Sequence, residues 1–215
     1  MNQFSVPMAL VDFIPVILFA VSSIVLQRDL YNKMSKGAFA LFAAGTIDII
    51  AAGALKALYK LLYAAGVCDF ERLNAMFFPV QSLGFLLAGM GIVAMLCWKQ
   101  GKTAAYAVAV PTIYSGTFLF VGLMVLGLGG MMAGLGVIAV RMKKKGVSVL
   151  FAVAFLCCLS MGYLSSRDFT QAYMNWMAEG INVVGQGALL LGVLTLHKAG
   201  LAAQFSGTRK VTLSH

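Results

Sequence analysis

Two carboxylates lie deep within apolar segments of the sequence, Asp48 and Glu179. An ionised side chain inside hydrocarbon costs about 2.5–3.5 kcal/mol on insertion scales, so each one needs a polar partner or a function. Asp48 follows Lys36 by 12 residues, about 18 Å of helical rise, and Glu179 follows Asp168 by 11 residues, about 16 Å. Both positions are therefore predicted to lie near the middle of a membrane.

Glu179 belongs to a stripe of polar side chains with helical spacing. The stripe advances by four, three and four residues, which places its members on one face of a helix: Asn175, Glu179, Asn182 and Gln186. Gln81 reaches a similar depth in an earlier apolar segment. We predict that these groups face one another across an interior polar cavity that binds a solute or a proton. The predicted site comprises Asp48, Gln81, Glu179, Asn182 and Gln186.

The protonation state of Glu179 follows from its neighbours in the sequence. Only amides accompany it in its stripe, so we expect Glu179 to be protonated at neutral pH. The alternative interpretation is an interhelical hydrogen-bond cluster, but such bonds average only about 0.6 kcal/mol in membranes. That gain is a weak reason to keep two carboxylates. Asp12 lies near a helix end and is expected to reach the aqueous interface.

The sequence contains no motif for nucleophilic catalysis or metal binding. Neither a nucleophile–base motif nor Cys/His spacing for a metal is present, so no catalytic site, metal site or cofactor is predicted. The net charge of +9 is divided among short clusters between apolar segments, which is typical of membrane-protein loops. We therefore expect no nucleic-acid partner.

The composition identifies the solvent around the chain. Apolar residues make up 61% and charged residues 11%, with a mean hydropathy of +0.91. A soluble domain carries about 25% charged residues, so this chain has too few to cover a water-facing surface. The sequence therefore predicts an all-α, polytopic transmembrane helix bundle whose main partner is the lipid bilayer.

The apolar segments predict seven helices. Five are separated by charges: Met8–Gln27, Gly37–Ala64, Leu73–Trp98, Val147–Ser165 and Phe169–His197. The stretch between Lys102 and Arg141 has 38 uncharged residues, about 57 Å as one helix against a hydrocarbon core of about 30 Å. We expect two helices there, with a glycine turn near Phe120–Gly122 or Gly127–Gly130. A single helix, giving six in all, is the alternative.

The basic residues predict an orientation. With seven helices, 12 of the 16 Lys and Arg residues lie on the side of the C-terminus and 4 on the other side. This bias predicts an N-terminus outside and a C-terminus in the cytoplasm of a cell (plasma) membrane. Residues 1–199 would form the transmembrane domain, and residues 200–215 a short basic cytoplasmic tail.

A weak internal similarity relates the third and seventh predicted helices. With an offset of 101 residues, Asn74, Met76, Gly84 and Gly91 match Asn175, Met177, Gly185 and Gly192. The pattern indicates a 3+1+3 parallel repeat, one arrangement found in secondary transporters. In architecture alone, without their sequence motifs, this is similar to the sugar- and vitamin-transporting families with three-helix repeats.

Three glycines at helical spacing form another packing face, Gly127, Gly130 and Gly134. Small residues in this pattern allow close helix packing, within the chain or with a homo-oligomeric or other membrane partner. Taken together, the features favour a transporter of a small solute with proton coupling. A membrane sensor or accessory subunit is the alternative, and an intramembrane lipid-modifying enzyme is the weakest interpretation.

Overall fold

A computed structural model describes residues 5–97, 117–165 and 172–204, and every regular element within them is helical. The apolar segments become long helices because, in lipid, a helix satisfies its own backbone hydrogen bonds. The helices are α1 (Val6–Val11), α2 (Phe13–Leu30), α3 (Lys36–Ala64), α4 (Glu71–Cys97), α5 (Thr117–Arg141), α6 (Lys145–Ser165), α7 (Ala172–Lys198) and α8 (Leu201–Gln204).

Five helical stretches within the described ranges are long and apolar enough to cross a membrane: Val6–Leu30, Lys36–Ala64, Arg72–Cys97, Leu119–Arg141 and Tyr173–Lys198. α6 is shorter and packs between α5 and α7. Large aliphatic side chains point away from the bundle, with Leu126 71%, Ile24 62% and Leu191 59% exposed. Lipid is the solvent that such a surface requires, so the chain is an integral membrane protein.

The six long helices form a closed ring in chain order. α2 packs against α3, and each later helix packs against the next as far as α7, which in turn packs against α2. Most neighbours run antiparallel, but α4 and α5 run parallel, since Gly127 approaches Phe85 while Gly134 approaches Ile92. The end of α4 and the start of α5 therefore lie at opposite ends of the bundle. Seven crossings require this relation; the predicted fourth helix lies outside the described residues. α2 and α7 also run parallel, since the ends of both helices meet where Asp29 contacts His197.

The expected glycine turn within 120–130 is wrong. α5 runs unbroken from Thr117 to Arg141, through both proposed turn positions. The glycines of α5 serve close helix packing instead, because a Cβ on Gly127 would overlap backbone atoms of Phe85 and Leu86. A break there would also leave backbone groups without partners inside the membrane.

Glycine also brings α3 and α4 into backbone contact. A Cβ on Gly84 would lie 2.8 Å from the Gly45 oxygen, and one on Gly91 would lie 2.8 Å from the Phe42 nitrogen. Side chains of ordinary size would hold the two helices further apart. This close packing fixes the rotation of α3, and with it the direction in which its lysines point.

Candidate functional site

A buried cluster of charges joins three parts of the chain. The Lys60 ammonium of α3 forms an ion pair with Asp12, between α1 and α2, and lies 3.4 Å from Glu179 Oε1 of α7. The exposed fractions of the three side chains are 12% for Lys60, 6% for Asp12 and 8% for Glu179. One cation thus serves two carboxylates away from solvent. We call Asp12, Lys60 and Glu179 the charge cluster.

The helix is interrupted at Asp12, whose side chain is buried inside the bundle. Pro15 has no N–H to donate to the carbonyl of residue 11. In a straight helix its ring would also clash with that carbonyl. The helix is accordingly interrupted at Asp12, between α1 and α2, although the Asp12 backbone keeps a right-handed helical conformation. α1 packs against α3, which carries Lys60. The expectation that Asp12 is a wetted helix end is therefore wrong.

The charge cluster lies below one end of the bundle rather than at its middle. Lys60 precedes the last residue of α3 by four residues, about 6 Å, and Glu179 follows the first residue of α7 by seven, about 10 Å. We call this the Lys60 end. The start of α1, the end of α3 and the start of α7 meet there, and the opposite end carries the end of α7.

Some buried polar atoms in the described ranges have no hydrogen-bond partner. They are Asp12 Oδ1, Ser23 Oγ, Glu179 Oε2 and Gln186 Oε1. All belong to the α1–α2 segment or to α7, and α2 and α7 pack against each other. Buried polar groups are nearly always paired with protein, water or a ligand, so the unpaired oxygens of Asp12 and Glu179, which share Lys60, mark a place where a partner belongs.

A second lysine lies one turn from the charge cluster on α3. Lys56 Nζ stands 3.9 Å from the centroid of the Phe77 ring of α4. A cation over an aromatic face is stabilised by the ring quadrupole. The ammonium of Lys56 is thus held by an aromatic ring, whereas that of Lys60 is held by carboxylates.

A second ionisable pair connects α2 and α7 near their other ends. His197 Nδ1 lies 2.8 Å from Asp29 Oδ2 and 3.0 Å from Asp29 Oδ1. The Asp29 side chain is 2% exposed and that of His197 is 36% exposed. His197 follows Glu179 by 18 residues, five helical turns, so both lie on the same side of α7. The α2–α7 interface therefore has an acidic group near each end.

The structure separates the predicted site residues. Asp48 stands 12 residues before Lys60 on α3, about 18 Å of rise, while Glu179 contacts Lys60 itself. Asp48 is partly exposed and lies against Gly84 of α4. Gln81 is one turn from Gly84 on the same helix, so it lies at the level of Asp48 and not of Glu179. Asp48 and Glu179 therefore do not lie at the same depth in the bundle, contrary to the prediction.

The other predicted residues stay together on α7. Glu179 and Gln186 are buried, Asn182 is partly buried, and all three follow one face of the helix. Lys60 supplies Glu179 with a cation that the sequence reasoning did not include, and a protonated Glu179 stays a prediction. A shallow apolar groove lies elsewhere, between α6 and α7, and is lined by Leu159, Ser160, Leu164, Met177 and Ile181.

The glycine face of α5 has a partner within the chain. Gly127, Gly130 and Gly134 approach α4 at Phe85, Val93 and Ile92, respectively. Close packing within the chain accounts for their spacing, and a homo-oligomeric or membrane partner at this face stays a prediction.

Comparison with known protein families, curated proteins and solved structures finds no match.

Sequence reasoning missed Lys60 as a partner of Glu179 and missed the pair formed by Asp29 and His197. One signal was available for each. Lys60 lies within an apolar helix, where a cation needs a carboxylate or an aromatic ring. His197 continues the polar stripe of α7, because its distance of 22 residues from Asn175 is close to six helical turns.

Proposed function

We propose that this protein transports a small solute across the cell membrane with proton coupling. The N-terminus would lie outside and the C-terminus in the cytoplasm, as the distribution of basic residues indicates. The solute would cross along the interface between α2 and α7 and bind at the charge cluster, which would open towards the outside.

The charge cluster is the observation that carries this proposal. Two carboxylates and a lysine, all at least 88% buried, are costly to place in a membrane bundle, and packing alone is a weak reason to keep them. Intramembrane ionisable groups typically mark pathways for substrates, ions or protons. The carboxylates can also exchange protons, which is what coupling to a proton gradient requires.

Polar groups continue from the charge cluster to the other end of the bundle. α2 contributes the buried side chains Ser22, Ser23 and Asp29, of which Asp29 contacts His197 of α7. α7 contributes Asn182 and His197, whereas the amide nitrogen of Gln186 lies 3.9 Å from Cys158 Sγ of α6. The other parallel interface, between α4 and α5, is instead closed by glycines in backbone contact, such as Gly89 and Gly127. This difference supports a pathway between α2 and α7.

A 3+1+3 parallel repeat forms part of the proposal. In each half the middle helix lies between the two others, and α4 and α7 span residues 101 apart, Glu71–Cys97 and Ala172–Lys198. The close glycine contacts of the two halves also correspond, with an offset of 101 residues from α4 to α7 and of 109 residues from α3 to α6. In the first half, Gly84 approaches Gly45 and Asp48, and Gly91 approaches Phe42. In the second half, the equivalent residues make the same contacts: Gly185 approaches Ala154 and Cys157, and Gly192 approaches Phe151. Such repeats are common in secondary transporters.

Transport requires the pathway to open to each side of the membrane in turn. Ser23 is a suitable reporter because it is buried near the middle of α2 and its hydroxyl has no partner. In a chain whose four cysteines are replaced, Ser23→Cys is expected to react with a membrane-impermeant thiol reagent from both faces of oriented vesicles. The neighbouring Ile24→Cys, 62% exposed to lipid, is the control and should not react.

Reaction of Ser23→Cys from one face only, or from neither, would overturn the transporter proposal. The sensor or accessory-subunit alternative would then be favoured. One observation favours this alternative: Asp48 is partly exposed beside Gly84 of α4, about 18 Å from the start of α3. A basic residue on a partner helix could cover this carboxylate.

Proton coupling should depend on Glu179. With Ser23→Cys as reporter, we expect the reaction rate to change several-fold between acidic and alkaline pH, because protonation of the charge cluster weakens its hold on α7. Glu179→Gln keeps the shape without the titrating group and should abolish this dependence while preserving folding. Asp48→Asn is the matched control and should retain it. Equal pH profiles for all three proteins would exclude Glu179 as the coupling group.

A further inference from the structure

We infer that the charge cluster binds the protonated amine of a small organic solute, with the Lys60 ammonium as a tethered occupant of the same site. This inference rests on the proposed function and names the class of its substrate. It is carried by the unpartnered oxygens of two deeply buried carboxylates and by the position of the one cation that contacts both.

The unpartnered atoms define what the ligand must offer. Asp12 uses Oδ2 and Glu179 uses Oε1 for Lys60, and the second oxygen of each carboxylate is buried without a donor. An ionised carboxylate only accepts hydrogen bonds, so the missing partner is a donor. A ligand with N–H groups and a positive charge satisfies both oxygens, since the two carboxylates share one contacting ammonium.

The second lysine does not fill this position. Lys56 Nζ rests on the Phe77 ring, and its side chain points towards α4 rather than into an ion pair with either carboxylate. The site thus combines two carboxylates with one contacting ammonium among the described residues. An anionic solute would meet two carboxylates at close range, so the site selects against it.

The donor set favours an ammonium over a metal ion. Hard metal cations are bound by six or more oxygens in most protein sites, whereas a primary ammonium needs three acceptors. Two carboxylates supply four oxygens, and Lys60 already shows how one ammonium lies between them. Within the described ranges no group of three His, Cys, Asp or Glu side chains converges to add ligands.

Binding would proceed by exchange without any covalent step. The incoming ammonium takes the free oxygen of each carboxylate and weakens the contact of Lys60 with Glu179, the longer of its two ion pairs at 3.4 Å. Release of Lys60 from α7 would loosen the connection between α3 and α7 at the Lys60 end. The same exchange thus links ligand occupancy to opening of the α2–α7 interface.

Thermal unfolding of the full chain in detergent tests the inference without knowledge of the natural solute. Methylammonium and ethylammonium are the probes, with Na⁺ and K⁺ at equal ionic strength as controls. We expect a saturable rise in the Tm of the wild type with the alkylammonium ions and none with the metal ions. Asp12→Asn and Glu179→Gln should each reduce the rise, because each removes one charged acceptor.

Removal of the tethered occupant gives the sharpest result. Lys60→Met should respond to methylammonium at about tenfold lower concentration than the wild type, since a charge-assisted hydrogen bond no longer competes. If this variant cannot be purified, Lys60→Met with Asp12→Asn keeps Glu179 as a single free carboxylate and should still respond. Lys56→Met is the matched control and should behave as the wild type.

Each other outcome overturns the inference. No response of the wild type and of both Lys60 variants excludes an ammonium site; equal shifts with Na⁺ or K⁺ indicate a metal-cation site; a dependence on pH alone indicates a proton site. The two proposals can fail independently of each other. If the protein binds ammonium but Ser23→Cys is labelled from one face only, it is a receptor. If Ser23→Cys is labelled from both faces but no ammonium binds, the protein transports another solute.

Discussion

Replacing Lys60 with methionine is expected to reduce the free energy of unfolding by about 3–5 kcal/mol, a large effect for one side chain. The substitution leaves Asp12 and Glu179 buried, with side chains 6% and 8% exposed, and without the cation that both contact. Removing one partner of a buried ion pair is more damaging than removing all of it, because the remaining charges keep their desolvation cost. SDS-induced unfolding in mixed micelles measures the change.

The controls for this prediction come from the same helix and the same cluster. Lys56→Met removes a lysine that contacts a ring instead of a carboxylate, so its cost should be about 1–2 kcal/mol. Combining Lys60→Met with Asp12→Asn and Glu179→Gln should recover most of the lost stability, because no buried charge stays unpaired. Equal losses for Lys56→Met and Lys60→Met would show that Asp12 and Glu179 do not depend on Lys60.

Substituting alanine for Gly127 is expected to separate α4 from α5 and to cost about 1–3 kcal/mol or more, the usual range for overpacking. The new Cβ would overlap backbone atoms of Phe85 and Leu86, which cannot rotate away as a flexible side chain would. Both helices would have to move apart over several turns. Cysteine pairs across the α4–α5 interface should then cross-link more slowly, in parallel with the loss of stability.

Gly122 provides the matched control within the same helix. A Cβ at Gly122 meets no atom within 4 Å, so Gly122→Ala should be neutral or stabilise the helix by up to about 1 kcal/mol through helix propensity. If both alanine variants were equally stable, the close contact of α5 with α4 would be incorrect. The parallel direction of the two helices would then lose its main support.

The helices themselves could be predicted from the sequence with good accuracy. The second predicted segment, Gly37–Ala64, corresponds to α3 at Lys36–Ala64, and the third, Leu73–Trp98, to α4 at Glu71–Cys97. Hydropathy suffices here because each membrane helix satisfies its backbone locally, and charges mark where the chain leaves the lipid. The break expected near 120–130 failed because glycine has two uses, in turns and in close helix packing, and composition does not distinguish them.

The partners of the buried charges could not be predicted in this way. The sequence identified Glu179 and its stripe on α7, because a helical period is a property of one segment. It did not connect Glu179 with Lys60, which is 119 residues away. The sequence analysis paired Glu179 with Asp48 instead. It used only the depth of each residue, counted from its helix end, and took no account of the rotation of the helices.

The sequence by itself thus determined that the protein is an α-helical membrane protein, where its long helices lie, and which face of α7 is polar. Only the tertiary structure decided which charges meet. Packing of α1 against α3 buries Asp12, and the glycine contacts between α3 and α4 set the rotation that points Lys60 at both carboxylates. The physical reason is that hydropathy and helical period are local, whereas an ion pair between helices depends on their relative rotation and shift, which packing of the whole bundle fixes.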